Sequence, residues 1–356
     1  MDKYMDGAGY DKFFDRFGID PLWWEVPHFP DEKAGEYFEP TQTEPGFLQS
    51  RWVVNDNWRI IREEIPGKEY ATTRYHCTTP KGTLSMTLDG NEHTVWVTER
   101  LIKEKKDIDL LGEYMTAPNC DVGAVNQISA EIGDRGILRG HICCFDVFGQ
   151  PGVWQDAACL YGIEDLIIAT FEDPAWVHEF LGILLRRKMS FVKSLKDAAY
   201  DIIELGGGDA STTVISPGIF EDFVAPYDSQ LISAAHEAGQ RISYHTCGGM
   251  MPILENIADM QPDAMETFTP PGMGADVDLA EAKRRIGDRV CMIGGFDQLH
   301  FFTGCSIDET KKEVRRCFEA AGDGGAYILC PSDHFFDAEL PLIQAYADAA
   351  RECFYV

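Results

Sequence analysis

From about Gly136 to the C-terminus, short apolar runs alternate with longer stretches in which apolar residues recur every three or four positions. The first pattern predicts buried strands and the second amphipathic helices. Strands are expected over Ile137–Phe148, Tyr200–Leu205, Arg241–Tyr244, Asp263–Phe268, Arg289–Ile293 and Ala326–Cys330. Helices are expected over 162–195 around a start at Pro174, then over Gly218–Ala238, Met251–Met260, Asp278–Ile286, Ile307–Ala321 and Leu340–Phe354. Ser216-Pro217 puts an N-cap serine and a first-turn proline ahead of the helix that begins at Gly218. Strand–helix alternation of this length predicts an α/β fold, a (β/α)8 TIM-type barrel in preference to an open sheet.

The first part of the chain has another texture. Residues 1 to about 65 are irregular and rich in aromatic side chains, among them Phe13, Phe14, Phe17, Trp23, Trp24, Phe47, Trp52 and Trp58. Pro21, Pro27, Pro30, Pro40 and Pro45 rule out a long helix here. Such a leader is expected to fold over a barrel end or a partner chain. Between Lys68 and Thr98 the pattern turns to β, with turns at Pro80-Lys81-Gly82 and Asp89-Gly90-Asn91, predicting small antiparallel hairpins. Glu99–Tyr114 is charged and helical in composition. The expected division is an aromatic-rich extension with hairpins over 1–130 and the main part of the barrel over 131–356.

Composition narrows the partners. The 356 residues are 45% hydrophobic, ample for a full core, and carry a formal net charge of −28. That charge argues against nucleic acid, whose phosphates it would repel. No run approaches the roughly 18 apolar residues of a transmembrane helix, so no membrane partner is expected. The N-terminus, Met1-Asp-Lys-Tyr-Met-Asp6, is polar and acidic, unlike a signal peptide. Eleven cysteines, with Cys143 and Cys144 adjacent and the rest scattered, make a poor disulfide framework. A reducing cytoplasm is the expected location, and a homodimer remains an open assembly.

The candidate chemistry lies where strands end. Arg241-Ile-Ser-Tyr-His245-Thr-Cys247-Gly-Gly249 runs from a strand into His245, one spacer, Cys247 and two glycines. Residues two apart in an extended strand share a face, so His245 and Cys247 can aim at one point, with nitrogen and thiolate sulfur that suit zinc. Gly248 and Gly249 permit a sharp turn and a close approach to the backbone. A third ligand is offered by Cys330, at the end of the strand Ala326–Cys330 and 83 positions after Cys247. Two thiolates and an imidazole would leave a fourth position open, the composition of a catalytic zinc site. The alternative is that His245 and Cys247 are satisfied core residues and Cys330 an apolar filler. Asp209, Glu266, Asp333 and His334 also fall at or after strand ends and are the expected general acids or outer-layer partners. Asp297, after Gly294-Gly295-Phe296, joins Gly248 and Gly249 as an expected cofactor-contacting position. His141 reads as a packed or hydrogen-bonded strand histidine. The glycines 206–208 lack the spacing of a phosphate-binding loop.

The segment from about Glu204 to Cys353 resembles the C-terminal half of the uroporphyrinogen decarboxylase superfamily. The matching pieces are Ile215-Ser-Pro217 opening a helix through Phe223 to Pro226, then Tyr244-His-Thr-Cys-Gly248, Gly294-Gly-Phe-Asp297 and Tyr327-Ile-Leu-Cys330. The resemblance implies a (β/α)8 barrel. At His245, Cys247 and Cys330 the chain is similar to the zinc-dependent methyltransferase branch, which works with a corrinoid (cobalamin) carried by a separate protein. Zn2+, a corrinoid-binding partner and a small methylated substrate are the implied cofactors and partners. One departure is that Cys330 precedes Pro331, whereas the branch that methylates coenzyme M places its last cysteine after the proline. The aromatic leader suggests an aryl methyl ether as methyl donor. Two other readings remain: a metal-free tetrapyrrole decarboxylase, for which the first 65 residues show no arginine-rich motif, and a non-catalytic corrinoid-binding subunit. No corrinoid-binding signature occurs in this chain, so the cobalt is expected on another subunit.

Overall fold

The computed structural model describes residues 10–30, 36–38, 52–91, 95–142, 151–335 and 337–355. Cys143, Cys144, Phe47 and the expected strand end at Phe148 lie outside them. Seven strands form one all-parallel sheet: β1 (Leu22–Trp24), β2 (Ile137–His141), β3 (Ile202–Gly206), β4 (Ile242–His245), β5 (Ala264–Thr267), β6 (Cys291–Phe296) and β7 (Tyr327–Pro331). Their spatial order is their chain order, and each neighbouring pair is parallel. This is the sheet that strand–helix alternation dictates, since a parallel neighbour needs a crossover and a helix is the compact one. Among the described residues no pairing joins β1 to β7.

β1 comes from the aromatic leader that the sequence pattern left irregular. Leu22-Trp23-Trp24 pairs with Ile137-Leu138-Arg139, and three residues are too few for alternation to show. Farther on, a four-stranded antiparallel sheet runs through Arg59–Glu64, Ala71–Thr79, Gly82–Gly90 and Val95–Glu99. It contains the expected turn, with Thr79 opposite Gly82. Of the expected helix over Glu99–Tyr114, the structure keeps Asp107–Tyr114.

The helices on the outside of the sheet follow their start signals. Pro174–Ser194 begins with Asp173 accepting a hydrogen bond from Trp176 N at 3.3 Å, and buries Val177, Phe180, Leu181 and Leu184 on one face. Ile307–Ala321 opens on a capping box between Ser306 and Glu309. Ser216 caps as expected, its Oγ accepting from Ile219 N at 3.3 Å. The helix behind it is interrupted: Pro217–Ile219 is α, Phe220–Val224 a π turn, and Ala225–Glu237 α again. Pro226 supplies the cause, because it lacks the N–H that an unbroken helix would use. No helix among the described residues is long and apolar enough to cross a membrane.

Side chains in register across parallel strands share a face. Trp24 with Arg139, His141 with Glu204, and Gly206 with His245 and Glu266 therefore point to the inner, concave face. Trp23 and Tyr244 point outward: Arg135 lies over the Trp23 ring at 5.1 Å, and the Tyr244 hydroxyl donates to Asp228 Oδ2 at 3.0 Å. Gly206 sits at φ +107°, and a Cβ there would lie 2.2 Å from the His245 carbonyl oxygen. Gly206→Ala is expected to destabilise the protein by at least about 2 kcal/mol, through both strain and clash. A urea-denaturation midpoint equal to that of the parent would refute the close contact.

Candidate active site

A buried charge cluster occupies the carboxyl-terminal half of the inner face. Arg139 on β2 donates from Nη1 to Glu266 Oε2 at 3.0 Å and from Nη2 to Glu266 Oε1 at 2.6 Å. The same Nη2 is 2.6 Å from Glu204 Oε2 on β3. His245, at the end of β4, places Nδ1 2.7 Å from Glu266 Oε1 and 3.4 Å from Glu204 Oε1. Four strands, β2 to β5, thus each contribute one charged residue from an apolar stretch, and the charges neutralise one another.

Titration follows the geometry. Burial works against the negative charge of Glu266, but Arg139 and His245 outweigh it and hold the carboxyl down to about 2. Burial likewise opposes the charge of Arg139, and the carboxylates of Glu266 and Glu204 more than offset it. For His245 burial would lower the affinity for a proton, yet the side chains of Cys247, Glu266 and Glu204 beside it raise its pKa well above the ordinary histidine value. Burial pushes the Cys330 thiol up to about 12, with the Glu266 charge adding to it and Arg139 opposing. Cys330 therefore stands within electrostatic reach of the cluster from β7.

The ligating atoms of Glu204, His245 and Glu266 lie within 4.8 Å of one another. A cation at these carboxylates would compete with Arg139, whose guanidinium already bridges both. The arrangement fits an orienting role better: a carboxylate engages the histidine through Nδ1 and leaves Nε2 for a ligand. Among the described residues His245 Nε2 is buried with no hydrogen-bond partner. The thiols of Cys247, two residues past β4, and Cys330, on β7, do not belong to the tight group, and like the other described cysteines they are free. A buried imidazole nitrogen left open in this way is a donor of the kind that zinc takes.

The remaining expected residues take other places. Asp209 lies just after β3 and is held by Gln155, whose Nε2 donates to Oδ2 at 2.9 Å, while burial raises its pKa. Asp297 is committed locally: it caps the short helix Gln298–Phe301 by accepting from His300 N at 3.0 Å, and its Oδ2 meets His300 Nδ1 at 2.9 Å. Asp333 and His334 are exposed in the loop after β7. Gly248, at φ +104°, would drive a Cβ to 2.8 Å from Thr213 Oγ1, and Gly249 donates its N–H to that hydroxyl at 2.8 Å. Those two glycines thus let the segment after Cys247 pack on the loop after β3. Arg139 and Glu204 were not among the expected site residues. The signal was present, as a lone charge inside Ile137-Leu-Arg-Gly-His141 and inside Ile202-Ile-Glu-Leu-Gly206. His141, expected to be hydrogen-bonded, accepts from Trp24 Nε1 at 3.0 Å through Nδ1.

Comparison with known proteins gives likenesses of three kinds, to a family profile, to curated proteins and to a solved structure. The family profile described as Uroporphyrinogen decarboxylase (URO-D) matches residues 149–352. Among curated proteins, a methylcobamide:CoM methyltransferase MtaA of Methanosarcina barkeri is 26% identical over 183 residues, 51% of this chain and 50% of that protein. A uroporphyrinogen decarboxylase of Chlorobaculum tepidum is 27% identical over 161 residues, 45% of this chain and 44% of that one. The chain thus spans about half the length of the curated relatives it matches. Among solved structures, a methyltransferase from Methanosarcina mazei covers 74% of each chain with a TM-score of 0.56 at 17% identity, a likeness of fold.

Proposed function

Because the chain belongs to the uroporphyrinogen decarboxylase family, with its profile spanning residues 149–352, we propose that it is a zinc-dependent methyltransferase of that superfamily. In this reading residues 131–356 form most of an eight-stranded barrel, and 1–130 add the edge strand and the hairpin sheet. Its proposed substrates are a small methylated compound, with an aryl methyl ether as best candidate, and a corrinoid on a separate protein. The observation that carries the reading is His245, with Nδ1 engaged by Glu266 and Nε2 buried without a partner among the described residues.

His245, Cys247 and Cys330 would hold the zinc. Bound there, the metal would supply Lewis acidity to the heteroatom that carries the methyl group, and the partner's corrinoid would supply the methyl acceptor. The chain's own residues prepare this place. Glu266 fixes the ring of His245, and Arg139, itself held by Glu204, fixes Glu266 in turn. A cation entering beside His245 and Cys330 displaces their protons, so binding is expected to release protons and weaken as pH falls.

Metal content tests the reading. Wild-type protein expressed with added zinc is expected to carry about one zinc per chain and Cys330→Ala to lose it, by atomic emission. Transfer from a methoxybenzoate to cob(I)alamin, followed by visible absorbance, tests the donor. Zinc-free wild type would remove the methyltransferase reading and favour a metal-free decarboxylase. Zinc without any methyl transfer would favour a non-catalytic corrinoid-binding subunit. Transfer from methylated amines or thiols alone would remove the aryl ether.

A further inference from the structure

The inner face of the sheet is buried along its middle strands, where His141, Glu204, Ser243 and Glu266 are all covered. Its two edge strands differ. Trp24 on β1 is 45% exposed and Ile328 on β7 is 42% exposed. Both are inward-facing by register: Trp24 lies opposite Arg139, and Ile328 opposite Ile293, which lies opposite Glu266. An exposed apolar side chain thus stands on each edge strand, beside the charge cluster, where no pairing joins the edges among the described residues.

Trp24 is also held in place. Its indole Nε1 donates to His141 Nδ1 at 3.0 Å, and the two rings meet edge-on with centroids 5.3 Å apart. The polar end of the indole is therefore satisfied, and what the side chain still offers is a flat apolar face. Large aromatic faces are costly to leave in water and bind other rings well. A quaternary ammonium ion also favours indole faces. Here, however, Arg139 in register beside Trp24 already occupies Glu204 and Glu266, so the neighbouring cluster offers no unpaired negative charge to draw a cation.

We propose that the face of Trp24 is the stacking platform for a neutral, single-ring aryl substrate. The ring lies on the indole and its methylated oxygen points toward His245. The reaction at that oxygen rests on the function proposed above; the binding of the ring does not.

The experiment is calorimetric titration of the full, zinc-loaded chain with guaiacol, an aryl methyl ether, and separately with tetramethylammonium. Trp24→Ala is expected to weaken guaiacol binding roughly fivefold, and Trp24→Phe less than about twofold. Both variants lose the hydrogen bond to His141, so the difference between them isolates the ring face from the positioning of His141. Equal affinity in Trp24→Ala and wild type would overturn the proposal, as would no guaiacol binding in wild type or a preference for tetramethylammonium. If guaiacol binding depends on Trp24 while no methyl transfer occurs, the platform stands and the proposed reaction falls. If another methyl donor is turned over and Trp24→Ala is silent, the reverse holds.

Discussion

Arg139→Ala is expected to cost about 3–5 kcal/mol of stability at neutral pH, because it strands two buried carboxylates that share one guanidinium. Arg139 meets Glu266 through two hydrogen bonds and Glu204 at 2.6 Å. With the guanidinium gone, His245 is the remaining positive partner of both acids. The pH dependence carries the sign. In the parent, Glu266 is held down to about 2, below the 4.5 of a free glutamate. Its contribution to stability is therefore present above about 4.5 and lost as pH falls through about 2. Without Arg139, burial dominates and the carboxyl takes up its proton at higher pH, which relieves the variant. The stability gap between parent and variant is thus expected to narrow as pH is lowered from 7 to about 4.5. Arg139→Lys is expected to fall between them, since one ammonium cannot reproduce a planar fork. Urea denaturation at the two pH values checks this. A gap below about 1 kcal/mol, or one that widens in acid, would contradict the cluster as described.

The parts of this arrangement differ in how well the sequence carried them. The strand-end positions of His245, Glu266 and Cys330, and of Cys247 just past one, were legible because each stands at or just past the end of an apolar run, and the structure brings His245 and Glu266 of these into the charge cluster. The parallel sheet was legible for the same reason, since β2 to β7 each read as a short buried strand. Arg139 and Glu204 were obscured by the same pattern. A charge within an apolar strand looks like noise until its opposite is placed on the next strand, and that pairing is a tertiary fact. Counting one arginine against one glutamate in β2 and β3 would have raised the possibility. β1 was hidden by its length and by Pro21 before it. Asp297 shows the converse: its position after Gly294-Gly295-Phe296 suggested a ligand contact, yet the carboxylate serves a helix start and His300. The interrupted helix behind Ser216 was readable in principle from Pro226, because a proline ten residues inside a helix must lose a hydrogen bond.

Behind β4 lies a second buried ionic group, and breaking it is expected to cost as much as removing Arg139. Lys188, on the helix Pro174–Ser194, is wholly buried, and its Nζ lies 2.8 Å from Asp156 Oδ2 on the helix Val153–Tyr161. Asp228, on the helix Ala225–Glu237, is close enough to feel the same ammonium. Burial pushes the Asp228 carboxyl up to about 6, against the opposing hydrogen bonds from Tyr244 and Val153 and the charge of Lys188. Removing Lys188 therefore leaves Asp156 without its cation and raises Asp228 further. Lys188→Met is expected to lose about 3–5 kcal/mol at pH 7.5, whereas Lys188→Met combined with Asp156→Leu should recover most of it, ending within roughly 1 kcal/mol of the parent. The coupling between the two changes is then favourable and large, which distinguishes an ion pair from two independent packing contacts. Because Asp228 holds the hydroxyl of Tyr244, the strand residue just before His245, the zinc affinity proposed for His245 is also expected to fall in the single variant and to return in the double variant. Urea midpoints and zinc titrations on the three proteins decide the matter. If the double variant is as unstable as the sum of its parts, the helices are held by packing alone and the buried charges do not act as a pair.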